Sequence, residues 1–220
     1  MSIDLVEKSI AAVYSAFEPV PKPQQIPGCE HCLSAEQADV LLCTMPKNLS
    51  VDDICGYAAD VFLTMGCVED FQYFLPRILE LSVRGRFYWP DPEVVLRKIE
   101  LAEWSQWSDS LTNPVRQLID AQFDKVVEEG DPDEIDQWLC AIGQCMPDIR
   151  PYLERFVSMA TPEALGRFVL QNMNVFKKGK PDNPFWVHAP ENAQHLMDWM
   201  RKDPAKRLLE EAFWMKVESD

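Results

Sequence analysis

Histidine is scarce in this chain: 220 residues contain three, His31, His188 and His195. No His-Glu-x-x-His or Glu-x-x-His pair occurs, which argues against the common metal sites built on helices. Glycine is also sparse, with eight residues. The Walker A lysine loop, Gly-x-Gly-x-x-Gly and Gly-x-Ser-x-Gly are absent, so phosphate-cradling loops and nucleophile elbows are poorly supplied. No stretch approaches the run of about 18 apolar residues that would span a bilayer. The opening Met-Ser-Ile-Asp-Leu-Val-Glu-Lys lacks a basic segment followed by an apolar one, so no signal peptide is visible. Basic residues are few, 21 Lys+Arg against 36 Asp+Glu, net −15. That argues against a nucleic-acid surface, whose phosphate contacts need clustered Lys and Arg. Asn-Gly and Asp-Gly turns are missing, and no segment sustains an alternation of β-branched residues, so hairpins and sheets are not expected. Seven cysteines, an odd number scattered along the chain, suit reduced thiols better than a disulfide framework. A cytoplasmic protein is expected, with no cofactor and no catalytic residue assigned.

What the chain does contain is apolar residues, 47% of the total, enough to set it apart from a disordered acidic tail. Helix starts recur as a small polar residue followed by Pro, at Asp91-Pro92, Asn113-Pro114, Asp131-Pro132, Thr161-Pro162 and Asp203-Pro204. Asn183-Pro184 has the same form but leads into an aromatic stretch. Ser34 and Ser50 read as caps without Pro, and Asp131 with Glu134 has the spacing of a capping box. Ile135, Trp138, Leu139 and Ile142 fall at i, i+3, i+4 and i+7, as do Ile149, Tyr152, Leu153 and Phe156. Leu165, Phe168 and Val169 continue the habit. Further helices are expected over roughly 3–16, 34–43, 51–65, 70–83, 92–104, 111–129, 190–201 and 204–217. Residues 18–33, with four Pro, and 177–187 read as loops. The fold class is all-α, an irregular stack of antiparallel helical hairpins, HEAT-like or a helical bundle. One domain over 1–220 is expected, with a possible loosely attached helical segment at 181–220.

Cys29-Glu30-His31-Cys32 is the most pointed local motif. Such a pair can supply two thiolates of a zinc site, but a structural site needs two more ligands. Cys43, Cys55 and Cys67 lie on predicted helices, where Cys packs as a small hydrophobe. A buried loop anchor is the expected role of the pair, and no metal ligand is assigned. A thioredoxin-like role would require a neighbouring βαβ unit, which is not predicted. Glu191 and His195 are i, i+4 neighbours, a spacing that suits an ordinary surface contact or an oriented base. Seven Trp are present, with Trp104 and Trp107 expected on one helix face; aromatics at helical spacing usually enter a core. Lys177, Lys178 and Lys180 form a small basic loop, too few for a nucleic-acid stripe.

The acidity is local. Residues 161–220 carry nine bases and nine acids, so the whole excess lies in 1–160. Between 100 and 136 eleven acids face only Arg116 and Lys125. One reading is a solvated face. The other is a docking surface for a basic protein, with Glu128, Glu129, Asp131, Asp133, Glu134 and Asp136 as its residues; such a surface speeds association and weakens with salt.

Pro27-Gly28-Cys29-x-x-Cys32, Leu49-Ser50-x-Asp52-Asp53, Tyr57-Ala58, Asp70-Phe71-x-x-Phe74-Leu75-Pro76-Arg77-Ile78-Leu79-Glu80-Leu81, Asp91-Pro92-Glu93 and Trp104-x-x-Trp107 together resemble a family of small, uncharacterised bacterial cytosolic proteins. The likeness covers residues 27–107 and implies no activity. Within it, Asp70 is expected to cap a helix whose Phe71, Phe74, Leu75, Ile78 and Leu79 face the core, with Arg77 and Glu80 paired. The functional expectation is an acidic helical protein that binds another protein, most concretely an immunity or antitoxin-type inhibitor of a basic toxin domain. No nucleic acid and no membrane are expected as partners. The alternatives are a metal-binding or enzymatic protein using Cys29 and Cys32, and a non-toxin adaptor.

Overall fold

A computed structural model describes residues 2–29 and 31–202. Its α-helices are α1 (Ser2–Phe17), α2 (Ala35–Cys43), α3 (Val51–Asp60), α4 (Val68–Val83), α5 (Pro92–Leu101), α6 (Asp109–Glu129), α7 (Pro132–Cys145), α8 (Arg150–Met159), α9 (Pro162–Gln171), α10 (Asn174–Lys178) and α11 (Pro190–Arg201). Three short 3₁₀ turns lie at Pro46–Asn48, Trp104–Gln106 and Pro184–His188. No strand occurs among the described residues, so the class is all-α. No helix among them is long and apolar enough to cross a membrane. The helix expected at 204–217, with its start at Asp203-Pro204, lies outside the described residues.

Local chemistry sets most helix starts. Ser34 and Ser50 each accept the backbone N–H three residues on, and the side chains of Gln37 and Asp53 return the bond to the cap N–H. Thr161 accepts from the Ala164 N–H. Each such cap is worth about 1 kcal/mol. At Asp131 the cap differs from the expected box: its carboxylate accepts from the Asp133 N–H, not through a reciprocal bond with Glu134. Two boundaries also depart from expectation. α6 begins at Asp109, before Pro114, because the Ser108 carbonyl already accepts the Leu111 and Thr112 N–H groups. α3 ends at Asp60, short of 65, because Phe62 turns to a positive φ of 65° and its N–H returns to the Met65 carbonyl.

The contacts gather into two compact units, residues 1–122 and 123–220, with the division inside α6. In the first unit α4 is central, packed against α1, α3 and α5. Its Phe71, Phe74, Leu75, Ile78 and Leu79 are all buried. Full burial of each contributes roughly 1.5–3 kcal/mol. Arg77 and Glu80 pair at 2.8 Å, and Arg77 also donates to the Leu49 carbonyl. Tyr14 on α1 donates to Glu80 at 2.7 Å, which ties the N-terminal helix to α4. In the second unit α7 packs on α9 and on the 184–188 turn, and α8 on α11. Trp186 is buried, and Asn192 donates to the Gly143 and Met146 carbonyls while accepting the Ile149 N–H. These bonds tie α11 to the end of α7 and the start of α8. The expected loop at 177–187 is shorter than read, since α10 runs through Lys178.

Candidate functional site

The acidic corner between α6 and α7 follows from three residues. Gly130 adopts φ +74°, a left-handed conformation that costs glycine little, and its N–H returns to the Val126 carbonyl to close α6. Asp131 then caps α7, and Pro132 occupies its first position. Val126, Val127 and Ile135 turn inward. Glu128, Glu129, Asp131, Asp133 and Glu134 are left exposed. Lys125 approaches Glu129 at 3.4 Å, and Gln171 donates to Asp133 at 2.5 Å. Among the described residues no cation pairs with Glu128, Asp131 or Glu134. Asp131, Asp133 and Glu134 sit favourably at a helix N-terminus. Glu128 and Glu129 oppose the dipole at the C-terminus of α6, an arrangement costing about 0.3–1 kcal/mol each. Helix stability alone does not select them there.

Asp136 does not belong to this face. It is 7% exposed and accepts from Asn172 Nδ2 at 2.9 Å. Burial pushes its carboxyl above the usual range; the amides of Asn172 and Asn183 counter this, and Asp182 and Asp133 add to it. The reason is the setting of α7, which is buried on all sides from Trp138 to Cys145. A helix with that much buried surface has no solvent side for a polar residue one place after Ile135.

The Cys29 loop also differs from expectation. Cys29 and Cys32 are exposed, so neither thiol is a buried anchor. The anchor is the backbone beside them. Gly66 N–H donates to the Pro27 carbonyl at 2.6 Å, and Cys29 N–H to the Thr64 carbonyl at 3.2 Å. A Cβ on Gly28 would lie 2.7 Å from that of Met65, so the two strips meet only through glycine. Among the described residues no group of three or more His, Cys, Asp or Glu side chains is gathered for a metal ion. Cys43 is exposed and Cys55 half-buried, so neither packs fully as a core hydrophobe.

Cys67 is the N-cap of α4, and Asp70, expected in that role, is its third residue. Asp70 is fully buried; it accepts from the Cys67 N–H and thiol, both at 2.6 Å, and from the Tyr57 hydroxyl at 2.8 Å. Burial, then the bond to Asp70, pushes the Cys67 thiol up to about 11. Burial and the Asp70 charge push the Tyr57 phenol up strongly. Both groups stay protonated at neutral pH, so the trio organises the turn and supplies no nucleophile. His195 faces Asp148 at 3.4 Å, not Glu191.

Two features escaped the sequence reading. Lys98 is 3% exposed and donates to the Val61 carbonyl at 2.8 Å, at the end of α3. Tyr88 is 100% exposed and Trp89 49% exposed, within the run Arg84-Gly-Arg-Phe-Tyr-Trp-Pro. Trp104, Trp138 and Trp186 are core, with Arg116 stacked over Trp104 at 5.3 Å. Trp104 and Trp107 lie at a 3₁₀ turn, not on a shared α-helical face. No family model, curated protein or solved structure matches this chain.

Proposed function

We propose that the protein is an acidic helical binder of another, basic protein, and most concretely an immunity or antitoxin-type inhibitor of a toxin domain. The observation that carries the reading is the α6–α7 corner, where Glu128, Asp131 and Glu134 are exposed without a cation among the described residues. Exposed carboxylates left without a cation raise a local negative potential, which attracts a basic surface and speeds encounter. Asp136 is no part of it. The reading puts the protein in the cytoplasm, where a framework of structural disulfides is not expected.

The test uses the intact chain and a Glu128→Lys, Asp131→Lys, Glu134→Lys triple variant as baits in extracts of the source cells. A basic protein retained by the first and lost by the second supports the proposal. Its association rate should fall as salt rises, by an order of magnitude or more if several charges steer it. A partner that binds both baits at equal rates refutes the assignment of the face. Partner identity then separates a toxin inhibitor from an adaptor.

A further inference from the structure

We infer that Cys29 and Cys32 form a dithiol site that exchanges with small-molecule disulfides and closes to an intramolecular disulfide. The geometry begins with the turn. Cys32 N–H and Leu33 N–H both donate to the Cys29 carbonyl, at 2.9 and 3.0 Å. A turn of this kind holds its first and fourth Cα atoms within about 7 Å, which matches the span of about 4.4–6.8 Å that disulfides bridge. Both cysteines are exposed, so an external disulfide has access. The loop is fixed on its other side by the Pro27 and Cys29 bonds to residues 64–66, so the turn is held in the folded chain.

The two sulfurs are not equivalent. The His31 backbone N–H is the main influence that lowers the Cys29 pKa; the Cys32 backbone N–H and thiol add to it. His31 Nδ1 lies 3.7 Å from Cys29 Sγ. These contacts favour the thiolate at Cys29, the form that attacks. With oxidised glutathione, the Cys29 thiolate attacks one sulfur; the glutathione S–S bond breaks, and one glutathione thiolate leaves and takes a proton. The Cys32 thiol then gives up its proton to water and attacks Cys29 Sγ, expelling the second glutathione. The protein dithiol loses two electrons and two protons, and one disulfide becomes two thiols. No metal takes part. This chemistry is independent of the acidic corner.

The experiment uses the full chain in mixtures of reduced and oxidised glutathione, quenched by acid, alkylated and mapped by mass spectrometry. Cys29 and Cys32 should lose alkylation together, with a product lighter by two hydrogens, while the exposed Cys43 stays alkylated. A Cys32→Ser variant should stop at a glutathione adduct on Cys29. In the reduced wild-type chain at pH 7, Cys29 should react with iodoacetamide severalfold faster than Cys43. Equal rates at Cys29 and Cys43 would overturn the inference. So would adducts shared evenly among the exposed cysteines, or an unchanged disulfide product in the Cys32→Ser variant.

Discussion

Replacing Lys98 by Met gives a pH-dependent test of how a buried ammonium is held. Lys98 is almost fully enclosed, and burial brings its pKa down from 10.5 to about 8, with Asp60 pulling the other way and Arg97 adding to the fall. Displacement costs about 1.4 kcal/mol for each pH unit, or about 3 kcal/mol; screening by nearby solvent trims this to about 2–3 kcal/mol. Because the folded pKa lies below the unfolded one, the penalty is fully present below pH 8. Between pH 8 and 10.5 the unfolded chain binds more protons, so stability rises with pH, and above 10.5 the penalty is gone. The Met variant is free of that penalty but strands the Val61 carbonyl, which costs about 1–3 kcal/mol at every pH. The two effects nearly cancel at pH 7, and the wild type should be the more stable by about 1–3 kcal/mol at pH 10. Urea unfolding followed by far-ultraviolet circular dichroism at pH 7, 8, 9 and 10 measures the difference. Other titrating groups are common to both chains and drop out. A stability difference that stays flat from pH 7 to 10 would refute the reasoning.

Tyr57→Phe removes one of three donors to the buried Asp70 side chain and should cost about 1–3 kcal/mol in thermal or urea unfolding; a cost below the error of measurement would show that the Tyr57 hydroxyl does not hold Asp70. Gly143→Ala would place a Cβ 2.5 Å from Trp186 Cζ3. The overpacking cost exceeds the helix-propensity gain of about 1 kcal/mol, so a net loss of about 1–2 kcal/mol and a shifted Trp186 fluorescence are expected. A more stable variant would mean that the indole moves freely.

Much of the fold was legible along the chain. Caps at Ser34, Ser50 and Thr161 act between residues three apart, so they are written in the sequence itself. The α4 stripe from Phe71 to Leu79 is equally local. The candidate sites were legible only in part. Glu128, Glu129, Asp131, Asp133 and Glu134 are exposed, as their composition predicts, but Asp136 is inside because α7 is enclosed by neighbours the helical period cannot reveal. Cys29 and Cys32 are visible as a pair. Their exposure is not, since it depends on the backbone strip at 64–66, more than 30 residues away.

The sequence by itself determined an all-helical chain, its main caps and apolar stripes, and an excess of acid confined to its first 160 residues. These rest on contacts within one or two helical turns, or on counting. Only the tertiary structure decided that Lys98 is buried on the Val61 carbonyl and that Asp136 leaves the acidic face. Each depends on which distant segment fills the space beside a residue, and burial and hydrogen bonding across such distances are set by packing, not by the neighbours in the chain.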